Sequence, residues 1–179
     1  KDVDFEAEKR LCSVAKFVSG QMNVSSAKLT DFHAYDDDED FDDPNINAQS
    51  EVKYINIMNL TGMITRGDGY SYGSLVMRDY LMRAAYRDDV IAHVLYCRTQ
   101  GGAAGALLDF AKAFEYIRSR GQKVFMYCDG MVASLGVVIG SMCDGIYAFN
   151  ENDEIGSIGL YKAFFVLPSG SVNSITQEK

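Results

Sequence analysis

Two short runs dominated by apolar residues, "VIAHVLYC" (Val90 to Cys97) and "KVFMYC" (Lys123 to Cys128), flank a stretch in which Leu107, Phe110, Ala111, Phe114 and Ile117 share one helical stripe. Runs of that length without polar alternation fit strands buried on both faces, and the stripe fits a helix that covers them. The alternation continues on either side. "VKYINIMNLTGMIT" (Val52 to Thr65) is rich in β-branched residues and predicts a strand or a bent pair of strands. The Gly-rich "RGDGYSYG" (Arg66 to Gly73) follows as a loop, and Met77, Leu81, Ala84 and Ala85 mark the face of a further helix. Gly121 ends the long helix, Ser134 to Cys143 reads as a short apolar helix, and "GIYAF" (Gly145 to Phe149) as another strand. Strands alternating with helices imply an α/β fold with a largely parallel sheet. The active groups of such sheets gather at the carboxyl ends of the strands.

The chain of 179 residues is long enough for one domain with a core of its own. Phe5, Leu11, Val14, Ala15 and Val18 predict a peripheral N-terminal helix within residues 1–22. Residues 23–50 read as a polar, acidic connection, and residues 51–179 as the main domain. In "DDDEDFDD" (Asp36 to Asp43) seven of eight residues are acidic, which accounts for most of the formal net charge of −8. A charge of that sign gives no nonspecific attraction to nucleic acid or to an anionic membrane. The acidic run lacks the Gly at the sixth and the Glu at the twelfth position that a calcium loop requires, so it reads as solvated chain, and no metal is expected. Cys12, Cys97, Cys128 and Cys143 form no CxxC pair and fall in apolar surroundings, which predicts buried free thiols in a reducing, cytoplasmic setting. No apolar run reaches the length of a membrane span. The sequence starts at Lys1, so an anchor upstream fits it equally well.

Two turns at expected strand ends carry candidate chemistry: "TQGGAAG" (Thr99 to Gly105) and "DGMVASLG" (Asp129 to Gly136). Acyl transfer needs a nucleophile, an acceptor for its proton, and N–H donors aimed at the developing oxyanion. Gly101 and Gly102 let the main chain approach a ligand closely, Ser134 supplies a hydroxyl, and the N–H of Leu135 lies at the positive end of a helix. Each feature also has a plain reading. A Gly pair is ordinary turn chemistry, and a Ser before a helix is ordinarily an N-cap. A dinucleotide loop is disfavoured because Ala103 stands where G-x-G-x-x-G needs its second Gly, so no cofactor is expected. The nucleophile elbow G-x-S-x-G fails at Val132. His33 and His93 both precede Ser134, and His93 falls inside a buried strand as a core residue. The natural proton acceptor for Ser134 is then a lysine whose pKa burial has lowered.

In order and spacing these pieces resemble the signal peptide peptidase A family of serine peptidases, which includes capsid-maturation proteases of tailed phages. The resemblance runs from Val52 into the region after Gly159. It rests on "INIMNLTGMIT", on "RTQGGAAGA" as the family's S-P-G-G turn, on "KVFMYCDGMVASLG", on "CDGIYAF" and on "GSIGL". It implies a ClpP/crotonase-like fold of repeated β-β-α units, a homo-oligomer, and hydrolysis of peptide or protein substrates by a Ser-Lys dyad. Ser134 would be the nucleophile, and Gly101, Gly102 and Leu135 would frame the oxyanion hole. Gly156 and Ser157 would belong to a structural turn beside the site.

Three departures qualify the match. Gln100 stands in place of the turn's proline, and Leu135 in place of a glycine after the nucleophile. The family's dyad lysine lies farther downstream than this sequence extends, which predicts a domain incomplete at its C-terminus. Lys162 follows "GSIG" closely enough to sit in a strand, Lys179 is the final residue, and neither is assigned the role. Within the family a phage capsid protease, acting on capsid or scaffold proteins in the host cytoplasm, is the favoured branch. A membrane-associated signal peptide peptidase, a non-catalytic assembly protein of the same fold and a crotonase-type acyl-CoA enzyme are the alternatives.

Overall fold

Val90 opens the longest described strand because the residues after it satisfy both faces of a sheet at once. Ala92 and Val94 pack into one apolar cluster, and Leu95 and Cys97 into another. The computed structural model describes residues 5–22, 27–30, 52–67, 73–160, 163–166 and 172–175. Its elements run α1 (Phe5–Gln21), β1 (Lys28–Thr30), β2 (Tyr54–Ile64), α2 (Ser74–Tyr86), β3 (Val90–Gly102), α3 (Leu107–Ser119), β4 (Lys123–Ala133), α4 (Leu135–Ser141), β5 (Gly145–Ala148), β6 (Glu154–Gly156), β7 (Ala163–Val166) and β8 (Val172–Ile175).

Strands β1 to β5 lie side by side in sequence order and are all parallel. β6 also pairs parallel with β4, beyond the stretch that β5 covers, so one edge of β4 carries two short strands in succession. β7 and β8 form a separate antiparallel pair. The expected α/β class with a largely parallel sheet is the architecture observed.

Period-two alternation splits the core between the two faces of the sheet. On one face Met58, Leu60, Leu95, Met126 and Cys128 meet α2, α3 and α4 through Leu81, Phe110, Phe114 and Ile139. Phe110 and Phe114 are fully buried and stack edge to face, each contributing about 2 to 3 kcal/mol by area. On the other face Ile55, Ile57, Val94 and Phe125 receive Val14 and Val18 of α1. The N-terminal helix is therefore not peripheral: it closes the second core. Its sparse apolar stripe reads as a surface helix because only a few side chains are needed to cover the middle of a narrow sheet.

Several other expectations are corrected. The segment read as a plain connection contributes β1, which pairs with β2 through Lys28 to Thr30. The stretch Val52 to Thr65, expected as a strand or a bent pair, holds the single strand β2, with a register shift between Thr61 and Met63 where Gly62 adopts φ 77°. β3 and β4 both run past their apolar cores, through Gly102 and Ala133 respectively, because β2 and β6 provide ladder partners for the Gly-rich ends. Cys97 and Cys128 are buried, Cys143 is half-buried and all four thiols are free, but Cys12 is exposed. Burial pushes the Cys128 thiol up to about 11 and the Cys143 thiol up to about 12, so these are inert core groups. The acidic run Asp36 to Asp43, His33, Lys162 and Lys179 lie outside the described residues. Among the described residues no helix is long and apolar enough to cross a membrane.

His93 is the core residue expected. Its Nδ1 lies 3.1 Å from Asn56 Nδ2 and its Nε2 lies 3.0 Å from Gln122 Oε1, while Gln122 Nε2 donates to the carbonyls of Ala85 and Arg87. An amide donor on one nitrogen and a carbonyl acceptor on the other fix the neutral Nε2–H tautomer. Burial pushes the imidazole down to about 4.

Candidate active site

β4 delivers Ser134 to the first turn of α4 through a sharp reversal of the chain. The reversal puts Ser134 at φ 52° and ψ −119°, a region that a residue with a Cβ enters only at a cost of about 1 to 3 kcal/mol. Its backbone is pinned from both sides. The Ser134 N–H donates to the Gly156 carbonyl at 3.0 Å, and the Ser134 carbonyl accepts from Val137 N–H at 3.0 Å and Val138 N–H at 3.2 Å. A strained serine on a strand-to-helix turn is the conformation of a nucleophile elbow, reached here without the first Gly of that motif. The turn is held instead by β6, whose Gly156 pairs with Ala133. This gives Gly156 the structural role expected of it. Ser157, next to it, is the only other non-Gly residue of positive φ among those described, at 57°.

The N-cap reading of Ser134 fails on its side chain. Ser134 occupies the cap position, yet its hydroxyl caps nothing. Oγ is buried and has no hydrogen-bond partner among the described residues, in a residue only 2% exposed. Leaving a buried hydroxyl unpaired costs about 1 to 3 kcal/mol, so packing alone gives no reason to keep a serine there. Ser134 also borders a cleft of about 210 Å³, although its hydroxyl oxygen is buried. The remaining walls are apolar: Ala104, Leu107, Leu135, Val138 and the segment 158–160.

The Gly-Gly turn meets Ser134 directly. A Cβ placed on Gly101 would lie 2.7 Å from Ser134 Cβ, 3.1 Å from the Ala133 carbonyl oxygen and 3.2 Å from Leu135 N, and Gly101 itself adopts φ 103°. No other residue type fits there. Gly102 faces the opposite neighbour, with a Cβ on it falling 1.8 Å from the Ile64 carbonyl oxygen. The two glycines are thus wedged between β2 and the start of α4. Gln100 is exposed. Leu135 is buried, contributing to the main core and to the cleft wall alike.

The N–H groups of the two turns differ in their availability. Gly101 N–H donates to Thr99 Oγ1 at 3.0 Å. Leu135 is the first residue of α4, and its N–H has no acceptor within the helix. The helix that follows the Gly-Gly turn is anchored by Asp109, a carboxylate 3% exposed that accepts from Ser74 Oγ at 2.7 Å. Asp109 also pairs with Arg66 Nε at 3.5 Å and with an Arg78 guanidinium nitrogen at 3.6 Å. This cluster binds the end of β2 and the start of α2 to the turn. Thr99 and Asp109 were not singled out by sequence reasoning. Their signal was weak, a polar residue at the edge of an apolar run, and the partners Gly62 (of Thr99) and Ser74 (of Asp109) lie more than 30 positions away.

No family model matches the sequence, and no curated protein matches it. Among solved structures the chain is similar to a serine-to-alanine mutant of the 1510-N membrane-bound stomatin-specific protease. That match has 19% identity over 69% of this chain and 55% of that one, with a TM-score of 0.46. A lysine-to-alanine mutant of the same protease in complex with a substrate peptide matches at 21% identity over 67% of this chain and 51% of that one, with a TM-score of 0.44. A peptidase from Plasmodium falciparum matches at 16% identity over 55% of this chain and 60% of that one, with a TM-score of 0.43. The chain spans between 51% and 60% of the length of these solved chains.

Proposed function

We propose that the chain is a serine peptidase in which Ser134 attacks the carbonyl carbon of a peptide bond. One observation carries this reading: a strained, buried serine whose hydroxyl has no structural use, held against a Gly-Gly turn at the wall of a cleft. In the reaction Oγ forms an ester to the carbonyl carbon and the C–N bond breaks. The serine proton passes to a base and from it to the leaving amine, and water then hydrolyses the acyl-enzyme. Gly102 N–H and Leu135 N–H are the oxyanion donors in this scheme, with Gly101 acting as the close-packed hinge between them. The apolar cleft strengthens those donors, because a hydrogen bond to a developing anion is worth more where water is excluded.

The base in this reading is a lysine that the described residues do not supply, since none of them hydrogen-bonds Ser134 Oγ. Hydrolysis of casein by the full-length protein tests the proposal. Activity in the wild type that is lost in Ser134→Ala is the expected result, and equal activity in both would remove Ser134 from the chemistry. The narrower assignment, capsid maturation by a self-associating peptidase in a host cytoplasm, rests on the sequence resemblance alone. Cleavage of capsid or scaffold proteins encoded beside the gene would test it.

The departures at Gln100 and Leu135 motivate a second reading, an assembly protein that keeps the fold without the chemistry. It predicts no hydrolysis by the full-length protein. An acyl-CoA enzyme would instead bind a CoA ester in calorimetry and tolerate Ser134→Ala.

A further inference from the structure

A strained backbone persists only where its surroundings hold it, and the Ser134 N–H is held by the Gly156 carbonyl at 3.0 Å. Gly156 ends β6, which is a weak base for such an anchor. β6 is three residues long, Glu154 and Ile155 are exposed, and β4 is its one ladder partner among the described residues. A strand with so few buried contacts opens at little cost. The β5 ladder ends at the pair Cys128 and Ala148, and the β6 ladder begins at the pair Met131 and Glu154, so Asp129 and Gly130 fall in a gap between the two short strands. The Asp153 carboxylate closes that gap. Its Oδ1 accepts from Gly130 N–H at 2.8 Å and its Oδ2 from Asn150 N–H at 2.7 Å, while Asp153 N–H donates to the Asn150 carbonyl at 3.1 Å.

One side chain thus closes the turn 150–153 and fastens it to β4 immediately before β6 starts. Hydrogen bonds to a carboxylate are roughly twice as strong as those between neutral groups. With Asp153 bonded to Gly130, Glu154 meets Met131, Ile155 meets Val132 and Gly156 meets Ala133. A slip of β6 along β4 would carry the Gly156 carbonyl away from the Ser134 N–H, and the bond to Gly130 opposes it. We propose that Asp153 is a positioning residue of the site: its carboxylate fixes the register of β6 on β4, and so keeps the Gly156 carbonyl where it pins Ser134 in its strained conformation. For its chemical consequence the role rests on the peptidase reading above, and it extends that reading to a side chain that acts on Ser134 only through the backbone.

The test compares Asp153→Ala, which removes both acceptors, with Asp153→Asn, which keeps one, each in the full-length protein. The readouts are the rate at which a fluorophosphonate labels Ser134, the hydrogen exchange of the Ser134 amide, and the midpoint of urea unfolding. Misplacing a reacting group by about 1 Å costs roughly 100-fold in rate. Asp153→Ala is therefore expected to slow labelling by about that factor and to speed exchange of the Ser134 amide, with the urea midpoint unchanged because β6 buries little. Asp153→Asn, with an oxygen left for the Gly130 N–H, is expected to recover at least about 10-fold of the labelling rate. Labelling of Asp153→Ala within about three-fold of the wild type, or a Ser134 amide as protected as in the wild type, overturns the assignment while the peptidase reading stands. A urea midpoint that falls together with the labelling rate marks a general loss of structure and overturns it as well. So does an Asp153→Asn protein that labels no faster than Asp153→Ala. A wild type that is never labelled removes the peptidase reading, and exchange of the Ser134 amide in Asp153→Ala then decides by itself whether the carboxylate holds the turn.

Discussion

At the scale of single residues, Ser134 is kept against the preference of its own backbone. It holds φ 52° with a Cβ present, caps no helix N–H, and buries a hydroxyl that bonds to nothing described. Replacing it by glycine removes the positive-φ strain of about 1 to 3 kcal/mol and adds about 1 kcal/mol of unfolded-chain entropy. Ser134→Gly is therefore expected to unfold in urea at the same or a higher midpoint, with a net gain of about 1 kcal/mol. A serine serving as a cap would show the reverse, a clear loss of stability. The sequence made Ser134 a candidate through its neighbours, but left cap and nucleophile open, because φ and the fate of a hydroxyl are set by contacts elsewhere. The contact that decides is Gly156, whose carbonyl holds the Ser134 N–H from 22 positions away in the chain. Thr99 was illegible for the same reason, its partner Gly62 being 37 positions distant.

At the scale of elements, the strands and helices were legible in their cores and not at their ends. Met77, Leu81, Ala84 and Ala85 mark the buried face of α2 in the sequence and line it in the structure. Gly101 and Gly102 read as a turn in isolation, yet they are paired with Met63 and Ile64 and extend β3. Local pattern reports what a segment prefers, and a neighbouring strand that supplies hydrogen bonds overrides it. Near their amino-terminal ends β2 and β3 are joined by Asn56 and His93, and His93 in turn to Gln122 just before β4. With its pKa held near 4 in the folded state, against 6.5 when unfolded, the His93 ring resists protonation only while the protein is folded. Between those values the unfolded chain binds a proton that the folded one refuses. The contribution of His93 to stability is thus fully present above pH 6.5 and is lost as pH falls toward 4, by about 3 kcal/mol. An NMR titration of the His93 ring should show no change until about pH 4, and a midpoint near 6.5 would contradict the satisfied network.

At the scale of the molecule, a parallel sheet must be covered on both faces, and α1 provides the second cover. Val18 is fully buried there. Val18→Asp would place an unpaired carboxylate in that core and is expected to cost at least about 3 kcal/mol in urea unfolding. A change within about 0.5 kcal/mol would return α1 to the periphery. Covered on both sides, the sheet is rigid enough to hold the Gly-Gly turn and Ser134 in contact at the ends of β3 and β4. The account stands on that contact making the hydroxyl reactive, and labelling reads it most directly. The full-length protein is incubated with a fluorophosphonate and its tryptic peptides are mapped by mass spectrometry. The account predicts one phosphonyl adduct, on Ser134, absent from Ser134→Ala. An unlabelled Ser134 in a folded full-length protein, or an adduct confined to another serine, would contradict it.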